Sequence, residues 1–156
     1  MGTFSGQFLG CKVSQTDLEA LRERLARDGA REVRGGGDVR IVNGCCVTAE
    51  AVAKTRQTVR RALADGASQV IVTGCAARIG DLGLSQLGDR VQVVDLPSER
   101  VPDAVSDRLG RLGCLGSAAS EQRRTRVRAF LKVQDGCSFA CSSCVIPLVR
   151  GRSRSR

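Results

Sequence analysis

Three short stretches of this chain rhyme: "LGCKV" around Cys11, "NGCCV" around Cys45 and "TGCAA" around Cys75, standing 34 and 30 residues apart. Each follows a strand-like segment. Thr3–Leu9 reads as a first strand, Asp38–Asn43 as a second, Ser68–Gly74 as a third and Val91–Asp95 as a fourth. Helical periodicity fills the gaps. Leu18, Leu21 and Leu25 share one helix face, with Thr16 and Glu19 spaced as a capping box and Gly29 as the stop. Val52, Thr55, Val59, Ala62 and Leu63 share another, opening at Thr48 or Ala49 and ending at Gly66; Ser98–Leu112 is a last helix. Strand and helix alternating at this interval define βαβ units and an α/β fold with a parallel sheet of flavodoxin-like kind. Right-handed crossovers put every strand's C-terminal end on the same edge, where open α/β sheets bind ligands. Cys11, Cys45 and Cys75 should therefore meet in one crevice, their neighbouring glycines leaving room for a bulky group.

Composition narrows what that group can be. The chain of 156 residues has no histidine, which removes Cys2His2 zinc sites, cysteine–histidine nucleophile pairs and histidine bases. With eight cysteines and no secretory signal, a disulfide framework is disfavoured. Buried cysteine can be a mere small hydrophobe, but three in register after three successive strands argue for ligands. Of the pair Cys45 and Cys46, Cys45 directly follows "NG" and is the favoured one; Cys114 lacks such a setting and reads as structural. The apolar fraction of 42% supports a core built from aliphatic side chains, since there are four Phe and no Trp or Tyr. No apolar run reaches the roughly 18 residues of a membrane span, and Gly6 breaks a myristoylation pattern, so a soluble cytoplasmic protein without membrane contact is expected.

The net charge of +9 is local. From Glu121 to Arg156 nine basic side chains stand against two acidic ones, while the first 120 residues carry sixteen against fourteen. An Arg-rich solvated surface and a phosphate-facing one are both compatible with this. Periodicity lapses from Gly113 to Arg126, which reads as a linker, and Val127–Gln134 reads as a fresh strand leading into "DGCSFACSSCVIPLVRG". There Cys137, Cys141 and Cys144 form C-x3-C-x2-C. Zinc sites prefer four ligands in C-x2-C pairs, and ferredoxin-type runs supply four thiolates. Three thiolates match a [4Fe–4S] cluster with one iron left open for a substrate or cofactor, the arrangement that separates catalytic centres from structural ones.

This motif, with "LGCKVSQ", "NGCCVT", "VTGCAA", "FLKVQDGC" and "IPLVRGRSRSR", resembles the tRNA methylthiotransferases, a radical S-adenosylmethionine family. "GCKV" with its following Gln15, and "RGRSRSR", are similar to the subfamily that acts on N6-threonylcarbamoyladenosine 37 of tRNA. The resemblance implies an enzyme with two [4Fe–4S] clusters and S-adenosylmethionine. Cys11, Cys45 and Cys75 would hold an auxiliary cluster, and Cys137, Cys141 and Cys144 the radical cluster, where Phe139, Cys141, Ser143 and Pro147 would meet the cofactor. Reductive cleavage of S-adenosylmethionine would give a 5′-deoxyadenosyl radical that takes hydrogen from C2 of the adenine, to which a methylated sulfur is then joined. The tRNA anticodon loop is the implied partner, with flavodoxin or ferredoxin as reductant and a monomer as the working form. The resemblance divides the chain into a methylthiotransferase α/β domain over 1–112, a linker over 113–126 and the start of a truncated radical S-adenosylmethionine barrel over 127–156, an inactive fragment as it stands. The other readings are a stand-alone iron–sulfur or sulfur-carrier protein, an enzyme for isopentenyladenosine 37, and an Arg-rich RNA-binding module with structural cysteines. Ser143, Leu148, Gly44 and Ser14 depart from the family pattern, where an aromatic residue, Tyr, Thr and Asn are usual; none removes a ligand.

Overall fold

Val39 to Gly44 and Gln69 to Gly74 are apolar on both sides of the pleat, so each must be covered on both faces. The computed structural model, which describes residues 2–80, 82–117 and 130–155, covers them with helices. Strands β1 (Thr3–Phe8), β2 (Arg31–Glu32), β3 (Val39–Gly44), β4 (Gln69–Gly74) and β5 (Val91–Val93) form one sheet in the order β2-β1-β3-β4-β5. Every neighbouring pair is parallel. This is the flavodoxin-like order, and its direction reverses between β1 and β3. Helices α1 (Lys12–Arg27) and α3 (Val101–Arg111) cover one face, where Leu18, Leu21, Val105 and Leu109 bury Phe4, Val39, Ile41 and Ile71. Helix α2 (Ala49–Ala64) covers the other, setting Val59 and Ala62 on Val42, Val70 and Val72.

The helix starts differ from the sequence reading in two places: α3 begins at Val101 and not Ser98, and α1 begins early. Helix α2 starts where it was expected, with the Thr48 hydroxyl accepting from the Ala51 N–H at 3.1 Å. Helix α1 starts at Lys12, four residues ahead of Thr16, with Cys11 as its N-cap residue. Thr16 is inside the helix and donates back to the Val13 carbonyl at 2.8 Å, so the Thr16–Glu19 pair caps nothing. Tertiary contacts override the capping signal: Ser14 and Gln15 are buried against the strand ends, and the Asn43 amide donates to the Ser14 carbonyl at 2.7 Å. Past α1, Gly29 N–H bonds the Ala26 carbonyl and Ala30 N–H the Leu25 carbonyl, closing the helix at the expected residue.

A second pair of elements joins α1 to α3. Asp28 accepts from the Ser106 hydroxyl and, at 2.7 Å, from Arg24 Nε. The Ser106 bond, helped by Arg24 and opposed by burial, holds the Asp28 carboxyl below the usual carboxylate range. A lowered folded-state pKa stabilises above the unfolded pKa of about 3.9 and is lost as pH falls through that range. Asp28→Asn should therefore lower the unfolding free energy read from urea titration at pH 7 by about 1 kcal/mol after allowing for partial exposure. The difference from wild type should close as the titration is repeated below about pH 4.

Packing of this domain continues past Leu112. Cys114 is 3% exposed within the α1/α3 core, against Gly2, and Gly116 N–H bonds the Gly29 carbonyl at 3.2 Å. The stretch 118–129, which takes in most of the expected linker and the first residues of the expected strand Val127–Gln134, lies outside the described residues. From Phe130 to Val133 the backbone is not a strand. Pairing begins only at β6 (Gln134–Asp135), which runs antiparallel to β7 (Arg154–Ser155), with Gln134 opposite Ser155. A strand needs a partner row of hydrogen bonds, and among the described residues β7 offers two residues of it. Helix α4 (Ile146–Arg150), with Pro147 in its first turn, lies between them in sequence. No helix among the described residues is long and apolar enough to cross a membrane.

Candidate metal centre

The sheet register sets the three rhyming turns level with one another. Phe8 pairs with Asn43, Asn43 with Thr73 and Gly44 with Gly74, so the chain leaves β1, β3 and β4 along one line. Cys11 caps α1, Cys45 follows β3, and Cys75 opens a short 3-10 turn, Cys75–Ala77, after β4. Cys11 and Cys45 thus flank the reversal of strand order, the position at which such sheets hold ligands.

Close approach explains the glycines. A Cβ on Gly10 would lie 3.2 Å from the Cys45 sulfur. One on Gly44 would meet Thr55 Cγ2 at 2.7 Å and Ala76 Cβ at 2.8 Å. One on Gly74 would fall 2.0 Å from Asn43 Oδ1, and its φ of 80° is in the left-handed region. The space that a side chain at Gly44 would need is filled by Thr55 and Ala76. Thr55 also fixes the turn: its Oγ1 accepts from the Cys45 N–H at 3.3 Å and donates to the Ala51 carbonyl at 2.8 Å. Asn43 and Thr73, both buried, hold the strand ends through a 3.4 Å hydrogen bond.

Cys45, Cys46 and Cys75 are buried and Cys11 is exposed; all are free thiols. Cys46 packs with Cys75 and Val149 in a small apolar cluster. Burial, then the neighbouring Cys75 and Cys45, pushes the Cys46 thiol up to about 11. Burial likewise raises Cys75, against the pull of the Arg150 guanidinium, and Cys75 also feels the charges of Cys45 and Cys11. The turns that carry Cys11, Cys45 and Cys75 are therefore neighbours at one edge of the sheet. Their sulfurs are not in a closed ligand shell: among the described residues no group of three Cys, Asp or Glu side chains stands close enough to hold an ion. In donor type the residues fit an iron–sulfur cluster, since thiolates are soft ligands suited to iron–sulfur chemistry. Gly10, Gly44 and Gly74 let the chain pack tightly around the crevice, and Val149 and Arg150 close on Cys75. A cavity of about 190 Å³ adjoins it, with Asn43, Thr73, Cys75 and Arg78 in its wall.

The second set lies in the loop between β6 and α4. Cys137 is half-buried, with its N–H on the Gly151 carbonyl at 3.0 Å, while Cys141 and Cys144 are exposed. Cys144 N–H turns back to the Cys141 carbonyl at 3.2 Å. Gly136 has no room for a side chain, because a Cβ would sit 2.3 Å from the Arg152 carbonyl oxygen. Phe139 is 77% exposed, Ser143 is exposed and Pro147 is half-buried, so no pocket closes around the residues expected to meet a cofactor.

What joins the two sets went unread in the sequence. Asp17 of α1, Lys132, Asp135 of β6 and Arg150 of α4 form a ring of two anions and two cations with side chains 8–13% exposed. Lys132 Nζ stands 2.6 Å from Asp17 Oδ1 and 2.6 Å from Asp135 Oδ2; Arg150 reaches Asp17 Oδ2 at 2.8 Å and Asp135 Oδ1 at 2.9 Å. Ser98 donates to Asp135 at 2.6 Å. Burial works against the Asp135 charge, but Lys132, Ser98 and Arg150 outweigh it and hold the carboxyl well below the usual range. Arg150 Nε donates to the Cys75 sulfur at 3.3 Å. Each partner is an ordinary surface charge by composition, and only the fold brings Arg150 to Asp17, 133 residues away.

An open parallel sheet with a glycine and a thiol in the turns after β1, β3 and β4 defines an α/β domain with three cysteines along one sheet edge. The chain belongs to the family described as Uncharacterized protein family UPF0004, whose model matches residues 3–96. It is 32% identical over 163 residues to the threonylcarbamoyladenosine tRNA methylthiotransferase MtaB of Chlamydia pneumoniae, covering 99% of this chain and 37% of that one. The protein of the same name from Bacillus subtilis is 29% identical, covering 100% of this chain and 38% of its own length. The ribosomal protein uS12 methylthiotransferase RimO of Leptothrix cholodnii is 34% identical over 95% of this chain and 34% of its own. This chain thus spans a little over a third of the length of these relatives.

Proposed function

We propose that the chain is the amino-terminal part of a methylthiotransferase that modifies N6-threonylcarbamoyladenosine 37 of tRNA. In this reading Cys11, Cys45 and Cys75 ligate an auxiliary [4Fe–4S] cluster, and Cys137, Cys141 and Cys144 a second one. The observation that carries it is the adjacency of the two cysteine sets: α4, which follows the C-x3-C-x2-C loop, packs Val149 on Cys75 and bonds its sulfur through Arg150. Sulfur insertion needs a sulfur-bearing site and a radical-generating site within reach of one substrate carbon. Cys137, Cys141 and Cys144 would hold the second cluster, which with S-adenosylmethionine bound would supply radical chemistry at an unreactive C–H bond.

The chain's own residues then have separable parts. Cys45 and Cys75 are held by the turn bonds of Thr55 and by Gly74, which keeps the first site in place. Asp17 and Asp135 anchor the loop segment to α1. After Glu121, the Lys/Arg outside the ion ring, seven of the nine, suit a polyanionic partner, and the two MtaB relatives are named for a tRNA nucleoside. The RimO relatives, at 34% identity, favour a second reading in which the acceptor is ribosomal protein uS12.

The test is to express the gene, with any coding sequence continuous with it, in a strain lacking the tRNA modification. Nucleoside digests should regain the 2-methylthio derivative, and a Cys141→Ala version should not restore it. Appearance of the methylthio group on protein uS12, with tRNA unchanged, replaces this reading by the second.

A further inference from the structure

Arg150 engages all three guanidinium nitrogens, each with a different partner. Nη1 reaches Asp135, Nη2 reaches Asp17, and Nε points at the Cys75 sulfur. The side chain is 9% exposed, so this fork is held away from water. Its two carboxylates are also bridged by Lys132, which leaves the four-charge ring neutral in itself. The ring therefore needs nothing from Cys75, yet the guanidinium turns its Nε–H onto that sulfur. Three donors in one plane, aimed at three acceptors on three elements, is work that arginine can do and lysine cannot.

We propose that Arg150 is a positioning residue of the first metal site: it holds the Cys75 sulfur in place and fixes a positive charge beside whatever cluster the three thiols bind. This rests on the reading of Cys75 as a cluster ligand. Hydrogen bonds to ligand sulfur and nearby fixed charge are among the main determinants of iron–sulfur potentials, since both favour the more negative, reduced state. Arg150 belongs to the segment that carries the second set of cysteines, so the electron affinity of the first site depends on whether that segment is docked.

The experiment uses the full chain with Cys137, Cys141 and Cys144 changed to Ala, so that only the first site takes up iron on anaerobic reconstitution with iron and sulfide. Redox titration followed by electron paramagnetic resonance then compares this parent with Arg150→Gln, Arg150→Lys and Lys132→Met. At the poise where the parent is half reduced, Arg150→Gln should show a reduced-to-oxidised ratio about tenfold lower, a downward shift of about 59 mV for one electron. Arg150→Lys should fall between the two, and Lys132→Met, which breaks the same ring without touching Cys75, should stay within about twofold of the parent. Asp17→Asn combined with Arg150→Gln removes one charge of each sign and carries the comparison if Arg150→Gln alone folds poorly. An unchanged ratio in Arg150→Gln at full iron content overturns the proposal, as does an equal shift in Lys132→Met. A parent that takes up no iron overturns the cluster reading of Cys75 and this inference with it.

Discussion

Anaerobic reconstitution of the wild-type chain with iron and sulfide should give about eight irons per chain, four for each set of three cysteines. Changing Cys137, Cys141 and Cys144 together to Ala should leave about four, and changing Cys11, Cys45 and Cys75 should leave the other four. The two halves are separable because the sets lie on different supports. The first stands at the end of a five-stranded sheet with its own core on both faces, and the second on a loop stapled by a two-residue strand pair. Metal analysis with the visible spectrum decides the matter. Uptake of zinc alone, or of no metal, removes the cluster proposal, and the buried thiols then count as small core residues.

Gly74→Ala should have the next largest effect, and on one set only. The new methyl would sit 2.0 Å from Asn43 Oδ1 and 2.8 Å from the Gly44 carbonyl oxygen, at a φ of 80°. Left-handed backbone with a Cβ costs about 1–2 kcal/mol, and overpacking adds about 1–3 kcal/mol. Relief requires β3 and β4 to part at their ends, which carries Cys75 away from Cys45. The expected outcome is a domain destabilised by about 3 kcal/mol in urea, with iron reduced to about four per chain. Gly80→Ala is the control: its φ is 93° but a Cβ there meets nothing, so it carries the backbone strain without the clash. If Gly74→Ala binds iron like the wild type, the turn after β4 does not position the ligand.

The sheet and the level of its three cysteines were legible because aliphatic runs such as Val70–Val72, with a cysteine a few residues on, recur at the βα interval. The edge strand Arg31–Glu32 was not, because two charged residues pairing with Thr3 and Phe4 leave no periodic trace. The start of α1 was misplaced because the Thr16–Glu19 signal is local, whereas Ser14 and Gln15 are buried by the strand ends. The ion ring was unreadable for the same reason in stronger form. Nothing near Asp17 in sequence marks it as a member of a buried ion pair, and its partners Lys132 and Arg150 come 115 and 133 residues later.

Docking of Arg150 on Cys75 has a consequence in time. The three thiols of the first site are all present once residue 75 is made, but the guanidinium that holds the last of them is 75 residues further on. At roughly 5–20 residues per second of synthesis, the crevice stands uncovered for about 4–15 seconds before Val149 and Arg150 can close over it. A nascent chain in that interval is the form in which the Cys75 thiol is most open to reagents from solution.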